Sequence, residues 1–149
     1  MGMYFEEFEV GAVIKHPFTR TVTEMDNILF SSLTMNTQPL HLDEHFSATT
    51  QHGERIVNSL FTLGLMVGMS VTTLTLGTTL GNLSMTDIAF PRSVKHGDTL
   101  RAETEIEDKR LSTSKPDRGV VHFLDRAYNQ NDELVATCRR VGMIMTRPA

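Results

Sequence analysis

The chain has 149 residues, of which 40% are hydrophobic and 21% charged, with a net charge of -4. That length fits one domain with a sizeable core, and scattered basic residues under a negative balance give no electrostatic case for nucleic acid. The single cysteine, Cys138, excludes an internal disulfide; with no basic-then-apolar run near the N-terminus, the expected setting is reducing and cytoplasmic.

Val13 to Val22 reads as a first strand. Thr23 followed by Asp26 is a helix start, a hydroxyl cap with an acid three residues on. Met25, Ile28, Leu29 and Leu33 then give a helical stripe with one apolar face. The helix ends before Thr37, because Pro39 disfavours α geometry in the residue before it. Asp43 to Thr49 forms a short helical turn, and Gln51 to Arg55 a loop. Leu60 to Val71 carries no charge and is too short for a bilayer, which needs about 20 residues. It reads as a helix from about Ser59 to Val71, apolar nearly all round and therefore covered on every side. Gly64 and Gly68 each cost such a helix about 1 kcal/mol, which predicts the close approach of another backbone.

After Gly77 the pattern changes to strand-like runs: Leu80 to Phe90, Thr99 to Leu111, Gly119 to Asn129 and Leu134 to Thr146. Leu100, Ala102, Thr104 and Ile106 alternate with Arg101, Glu103, Glu105 and Glu107, so one face is buried and one wet. Cys138 lies in such a run and reads as a buried structural thiol. Asn129 to Asp132 is a hairpin turn, and Ser112 to Gly119 a longer loop. Short connections predict a mostly antiparallel meander. The fold class is α+β, one sheet wrapping an apolar helix.

Two polar clusters flank the entry to that helix. Asn36-Thr-Gln-Pro-Leu-His41-Leu-Asp43 precedes it, and Ile56-Val-Asn-Ser59 opens it. The first amides of a helix are unpaired and point outward, so polar groups at its mouth are a natural site. Asn58 is also a natural N-cap, and Asn36 reads equally well as a cap for the preceding helix. Asp43 and Glu44 suit the first turn of a short helix. His45, His52 and His96 read as surface residues, and no spacing suggests a metal.

These residues resemble the MaoC-type dehydratases, the group of (R)-specific enoyl-CoA hydratases built on the hot-dog fold. The family pattern is Asp, any residue, Asn, Pro, a small apolar residue, His, an apolar residue and Asp; here it reads Asn36-Thr-Gln38-Pro-Leu-His41-Leu-Asp43. Phe46-Ser-Ala48, Ile56-Val57-Asn58-Ser59, Phe90-Pro91 and His96-Gly97-Asp98 match further elements. The resemblance runs from Phe5 to Thr146 and implies a single hot-dog domain over 1–149. It implies an acyl-CoA hydratase/dehydratase with His41 as acid/base and Asn36 orienting water. Gln38, Arg55, Asn58, Ser59 and Arg92 are implied to bind substrate, a CoA thioester, with no other cofactor. It also implies a homodimer or dimer of dimers. The Asn-x-Gln-Pro-Leu-His variant resembles a branch acting on short, branched dicarboxylyl-CoA substrates such as mesaconyl- or itaconyl-CoA. Asn36 stands where the family has Asp, and asparagine takes no proton at neutral pH, so a non-catalytic acyl-CoA-binding or assembly role is the alternative. A thioesterase is disfavoured, since Asn58 to Val71 holds no Asp or Glu.

Overall fold

Alternating apolar and charged residues demand a sheet with one wet face. The computed structural model describes residues 1–148 and contains five such strands: β1 (Val13–Thr21), β2 (Thr79–Ala89), β3 (Thr99–Leu111), β4 (Arg118–Tyr128) and β5 (Leu134–Met145). They form one antiparallel sheet in the order β1-β3-β4-β5-β2. In β3, Leu100, Ala102, Thr104 and Ile106 are buried, as their alternation requires. The outer face is laced by cross-strand ion pairs, Arg126 to Glu105 at 2.7 Å and Arg139 to Glu107 at 3.1 Å.

The meander expected from the sequence covers only β3 to β5. β2 lies at the far edge against β5. The reason is the central helix α4 (Ser59–Ser70), which packs against β1, β3, β4 and β5. A chain leaving the end of α4 reaches the opposite edge of the sheet, so the segment after β2 must return across the helix mouth. There the Val57 amide donates to the Val94 carbonyl (2.8 Å), and the Gly97 amide to the Val22 carbonyl (2.8 Å).

Leu63, Met66 and Met69 of α4 form the core with Val22, Leu100, Ala102, Ala127, Val135, Ala136 and Cys138. Burial raises the Cys138 thiol's pKa, consistent with a structural role. Beyond α4 a π-helical turn, Val71–Thr75, leads to a second cluster of Phe5, Phe8, Leu74, Ile106, Val121, Phe123 and Ile144. No helix among the described residues is long and apolar enough to cross a membrane.

Two expectations about helices are corrected. α4 is not covered on every side: Leu60 is 59% exposed, Gly64 and Gly68 are exposed, and a Cβ built at either glycine would meet nothing within 4 Å. The apolar stripe of α1 (Glu24–Leu33) faces outward, with Met25 73% and Leu33 75% exposed, whereas Asn27 and Ser31 are fully buried. Polar side chains point inward because the segment beneath them is irregular backbone that needs hydrogen-bond partners.

The core also holds a charged chain of contacts. Arg140 donates to Asp125 at 2.8 Å, with both side chains almost fully buried. The Thr104 hydroxyl donates to Asp125 (2.5 Å) and meets His16 Nε2 at 2.9 Å, while His16 Nδ1 meets the Thr73 hydroxyl at 2.6 Å. The network joins four strands to the turn after α4. Removing one partner of a buried pair leaves an unpaired charge and costs about 3–5 kcal/mol. Arg140→Met is therefore expected to lower unfolding stability by about that amount in urea titration, and Asp125→Leu combined with Arg140→Met to recover most of it.

Candidate active site

The capping box read at Thr23 and Asp26 forms, each side chain meeting the other's backbone amide. At the other end, α1 closes in a Schellman turn. The Asn36 amide donates to the Ser31 carbonyl (2.8 Å) and the Met35 amide to that of Ser32 (3.1 Å). Met35 takes the left-handed φ of 56° that this turn requires and that glycine adopts more easily. The turn delivers Asn36, whose side-chain oxygen accepts from the Gln38 amide at 3.1 Å. Pro39 opens the one-turn helix α2 (Pro39–Leu42), and the His41 amide donates to the Gln38 carbonyl at 3.0 Å. Asn36 and His41 are thus linked through the backbone of Gln38, whose side chain is exposed.

Asp43 caps α3 (Glu44–Ala48) by accepting from the Phe46 amide at 2.9 Å. Buried Ser47 sends its hydroxyl back to the carbonyls of Pro39 and Leu40, each 3.3 Å away. His41 Nδ1 lies 2.8 Å from the Ile56 carbonyl. A carbonyl only accepts, so the proton sits on Nδ1, and Nε2 carries the lone pair of a base.

The mouth of α4 is built by Asn58, 3% exposed, whose side-chain oxygen accepts from the Leu60 amide (3.1 Å) and whose nitrogen meets the Ser31 hydroxyl (3.3 Å). Asn58 is therefore the N-cap that its residue type suggests, with its carboxamide committed to structure. The Ser59 amide, next along, has no acceptor among the described residues and lies at the positive end of the helix. Ser59 and Arg92 line one small recess of about 80 Å³ with Ile56, Val57 and Val94.

The two arginines differ. Arg55 is committed to Glu24 (2.7 Å) and Glu44 (2.6 Å) with its side chain only 13% exposed. It ties the starts of α1 and α3 to the loop, so the guanidinium that the resemblance offers to substrate already holds two carboxylates. Arg92 is 61% exposed and 3.4 Å from Glu133, on the rim of a polar cleft of about 540 Å³ that also takes in Lys95 and Asn129.

Asn27 escaped the sequence reading. Its nitrogen donates to the carbonyls of His41 (3.2 Å) and Ile56 (3.1 Å) and meets His96 Nε2 at 2.9 Å; its oxygen accepts from the Asn58 amide at 2.9 Å. His96 is accordingly half-buried behind the site, which corrects its reading as a surface residue. Its pKa is lowered by burial first, then by the nearby Arg55 guanidinium. The available signal was the polar pair Asn27 and Ser31, one turn apart on α1, which a pattern reading assigns to solvent. Among the described residues no cluster of His, Cys, Asp or Glu could hold a metal ion.

The sequence and the fold have counterparts in known proteins. The chain is 32% identical over 106 residues to a 3-hydroxybutyryl-CoA dehydratase of Methylorubrum extorquens, covering 71% of this chain and 65% of that protein. It is 28% identical over 146 residues to a mesaconyl-CoA hydratase of Cereibacter sphaeroides, covering 98% of this chain but only 42% of that protein. Among solved structures, a putative MaoC domain protein dehydratase from Chloroflexus aurantiacus superposes with a TM-score of 0.93 at 28% identity, over 99% of this chain and 41% of that one. A Mycobacterium tuberculosis protein with a double hot-dog fold superposes with a TM-score of 0.89 at 23% identity, over 99% of this chain and 45% of that one, and so shares the hot-dog fold. The MaoC-like domain family itself matches residues 6–123, and the chain belongs to that family.

Proposed function

We propose that this chain is an acyl-CoA hydratase/dehydratase, adding water reversibly across the 2,3-double bond of an enoyl-CoA. The observation that carries this reading is the bond from His41 Nδ1 to the Ile56 carbonyl, which leaves Nε2 as a base. In the forward direction Nε2 takes a proton from water as the water oxygen attacks the β-carbon. Electron density moves through the α-carbon to the thioester oxygen, where the Ser59 amide and the positive end of α4 lower the energy of the enolate. The imidazolium then delivers its proton to the α-carbon, and His41 is neutral again. Asn36 orients the water and takes no proton, so the acid–base work rests on His41.

The named substrates of the relatives support a short acyl group, and the Asn36-x-Gln38-Pro-Leu-His41 variant supports a branched dicarboxylyl one. Gln38 and Arg92 are the side chains we assign to substrate, the exposed Arg92 exchanging its 3.4 Å contact with Glu133 for a carboxylate or a CoA phosphate. The CoA thioester is substrate, and the reading uses no separate cofactor. A second reading, acyl-CoA binding without turnover, is favoured by one observation, the asparagine at position 36.

The test follows enoyl-thioester absorbance with crotonyl-CoA, mesaconyl-CoA and itaconyl-CoA. Turnover by the wild type that falls about a hundredfold or more in His41→Ala is expected. Acyl-CoA binding without any hydration product moves the protein to the second reading, and release of free CoA thiol makes it a hydrolase.

We infer further that two copies pair. β2 is an edge strand with Leu80, Leu83 and Ile88 exposed, and a long apolar edge is a template for another strand. Light scattering at micromolar concentration should give at least twice the chain mass, and Leu83→Glu should shift it towards the monomer. A wild-type monomer contradicts the pairing.

A further inference from the structure

We propose that Asn27 is the positioning residue of the hydration site and that it works only while His96 offers it a lone pair. This rests on the hydratase reading of His41. Four groups meet one buried carboxamide, and their chemistry leaves it a single orientation. The Asn58 amide can only donate, so the Asn27 oxygen faces it at 2.9 Å. The carbonyls of His41 and Ile56 can only accept, so the nitrogen faces both. The nitrogen has two N–H donors and no lone pair to offer: His96 Nε2, the nearest group at 2.9 Å, accepts one, and the two carbonyls, at 3.1 and 3.2 Å, share the other. His96 is neutral, with its proton on Nδ1.

The consequence for the site is geometric. The Ile56 carbonyl that fixes the His41 ring also receives Asn27. The same carboxamide holds the His41 backbone and the amide of Asn58, two residues before the Leu60 amide that Asn58 caps. One side chain from α1 thus sets both halves of the chemistry: the base on α2, and the helix mouth where the thioester oxygen is held. Misplacing either by about 1 Å costs on the order of a hundredfold in rate.

Protonated His96 would set an N–H against the Asn27 N–H₂ and break the hub. Arg55, Glu24, Glu44 and Glu54 are the charged groups whose fields reach His96. Arg55 opposes its protonation and the three carboxylates favour it, while burial, the largest influence, keeps it neutral. Because the native state holds this proton more weakly than the unfolded chain, the contribution of the pair to stability is complete above the unfolded value of about 6.5. It is lost as pH falls from there through the folded value.

The test is a histidine ¹⁵N NMR titration of the wild type, His96→Gln and Asn27→Leu, alongside kcat and KM on the best enoyl-CoA. In the wild type His41 and His96 should both report the Nδ1–H tautomer, and the His41 ring signals should shift a second time at the pH where His96 titrates. His96→Gln keeps an acceptor for Asn27 and cannot titrate, so that second shift should vanish while the His41 tautomer stays. Asn27→Leu should release the His41 tautomer and lower kcat by tenfold or more, with KM within threefold. A His96 that carries its proton on Nε2 at neutral pH, or a His41 signal blind to His96, overturns the proposal even where Asn27→Leu fails to fold. Wild-type coupling without turnover on any enoyl-CoA leaves the positioning network standing and removes the hydratase reading alone.

Discussion

The structure depends on satisfying a stretch of backbone that belongs to no ladder. Between the end of α1 and the start of α4 the chain makes only two short helices, α2 and α3, yet it is packed between α1 and the helix mouth. Buried carbonyls and amides there must find partners or cost about 1–3 kcal/mol each. They find them in side chains. Asn27 takes the groups of His41, Ile56 and Asn58, and Ser47 takes those of Pro39 and Leu40. This explains why α1 shows polar residues to the interior, and why the histidine with a fixed tautomer arises at this point of the fold.

The same economy of the interior leaves apolar surface outside. With Asn27 and Ser31 turned inward, Met25, Leu29 and Leu33 are pushed to the surface. With β2 carried to the far edge, it has a strand, β5, on one side only. The bare glycines of α4 complete a molecule whose one side is finished by charged cross-strand pairs and whose other side is open. Relatives such as the mesaconyl-CoA hydratase are more than twice as long as the region this chain matches.

Much of the fold was legible in the sequence where local rules and tertiary context agree. The period of two along β3, the capping box at Thr23 and the N-cap at Asn58 all appear where propensity puts them. Pattern reading failed where context inverted it. The Met25 to Leu33 stripe was sound as helix periodicity, but periodicity does not say which face meets irregular backbone. Short connections were sound evidence for antiparallel strands, but not for adjacency, since the nine residues between β2 and β3 cross the helix mouth. Of the candidate site, Pro-Leu-His41 was visible as a motif. The hub at Asn27 and His96 was not, because their partnership joins positions 69 residues apart in sequence through groups that look solvent-facing. Nor does a sequence reveal that Glu24 and Glu44 surround Arg55, one of the residues the resemblance offers to substrate.

The proposed chemistry rests on two polar groups: a lone pair on His41 Nε2 and the unpaired Ser59 amide at the positive end of α4. Their positions relative to a bound thioester are the most direct measure of the account. A crystal structure with a saturated, unreactive acyl-CoA analogue should put the thioester oxygen within hydrogen-bond reach of the Ser59 amide, and the β-carbon beside a water held by His41 Nε2 and Asn36. An analogue seated with its thioester away from the mouth of α4, and with no water between its β-carbon and His41, would contradict it.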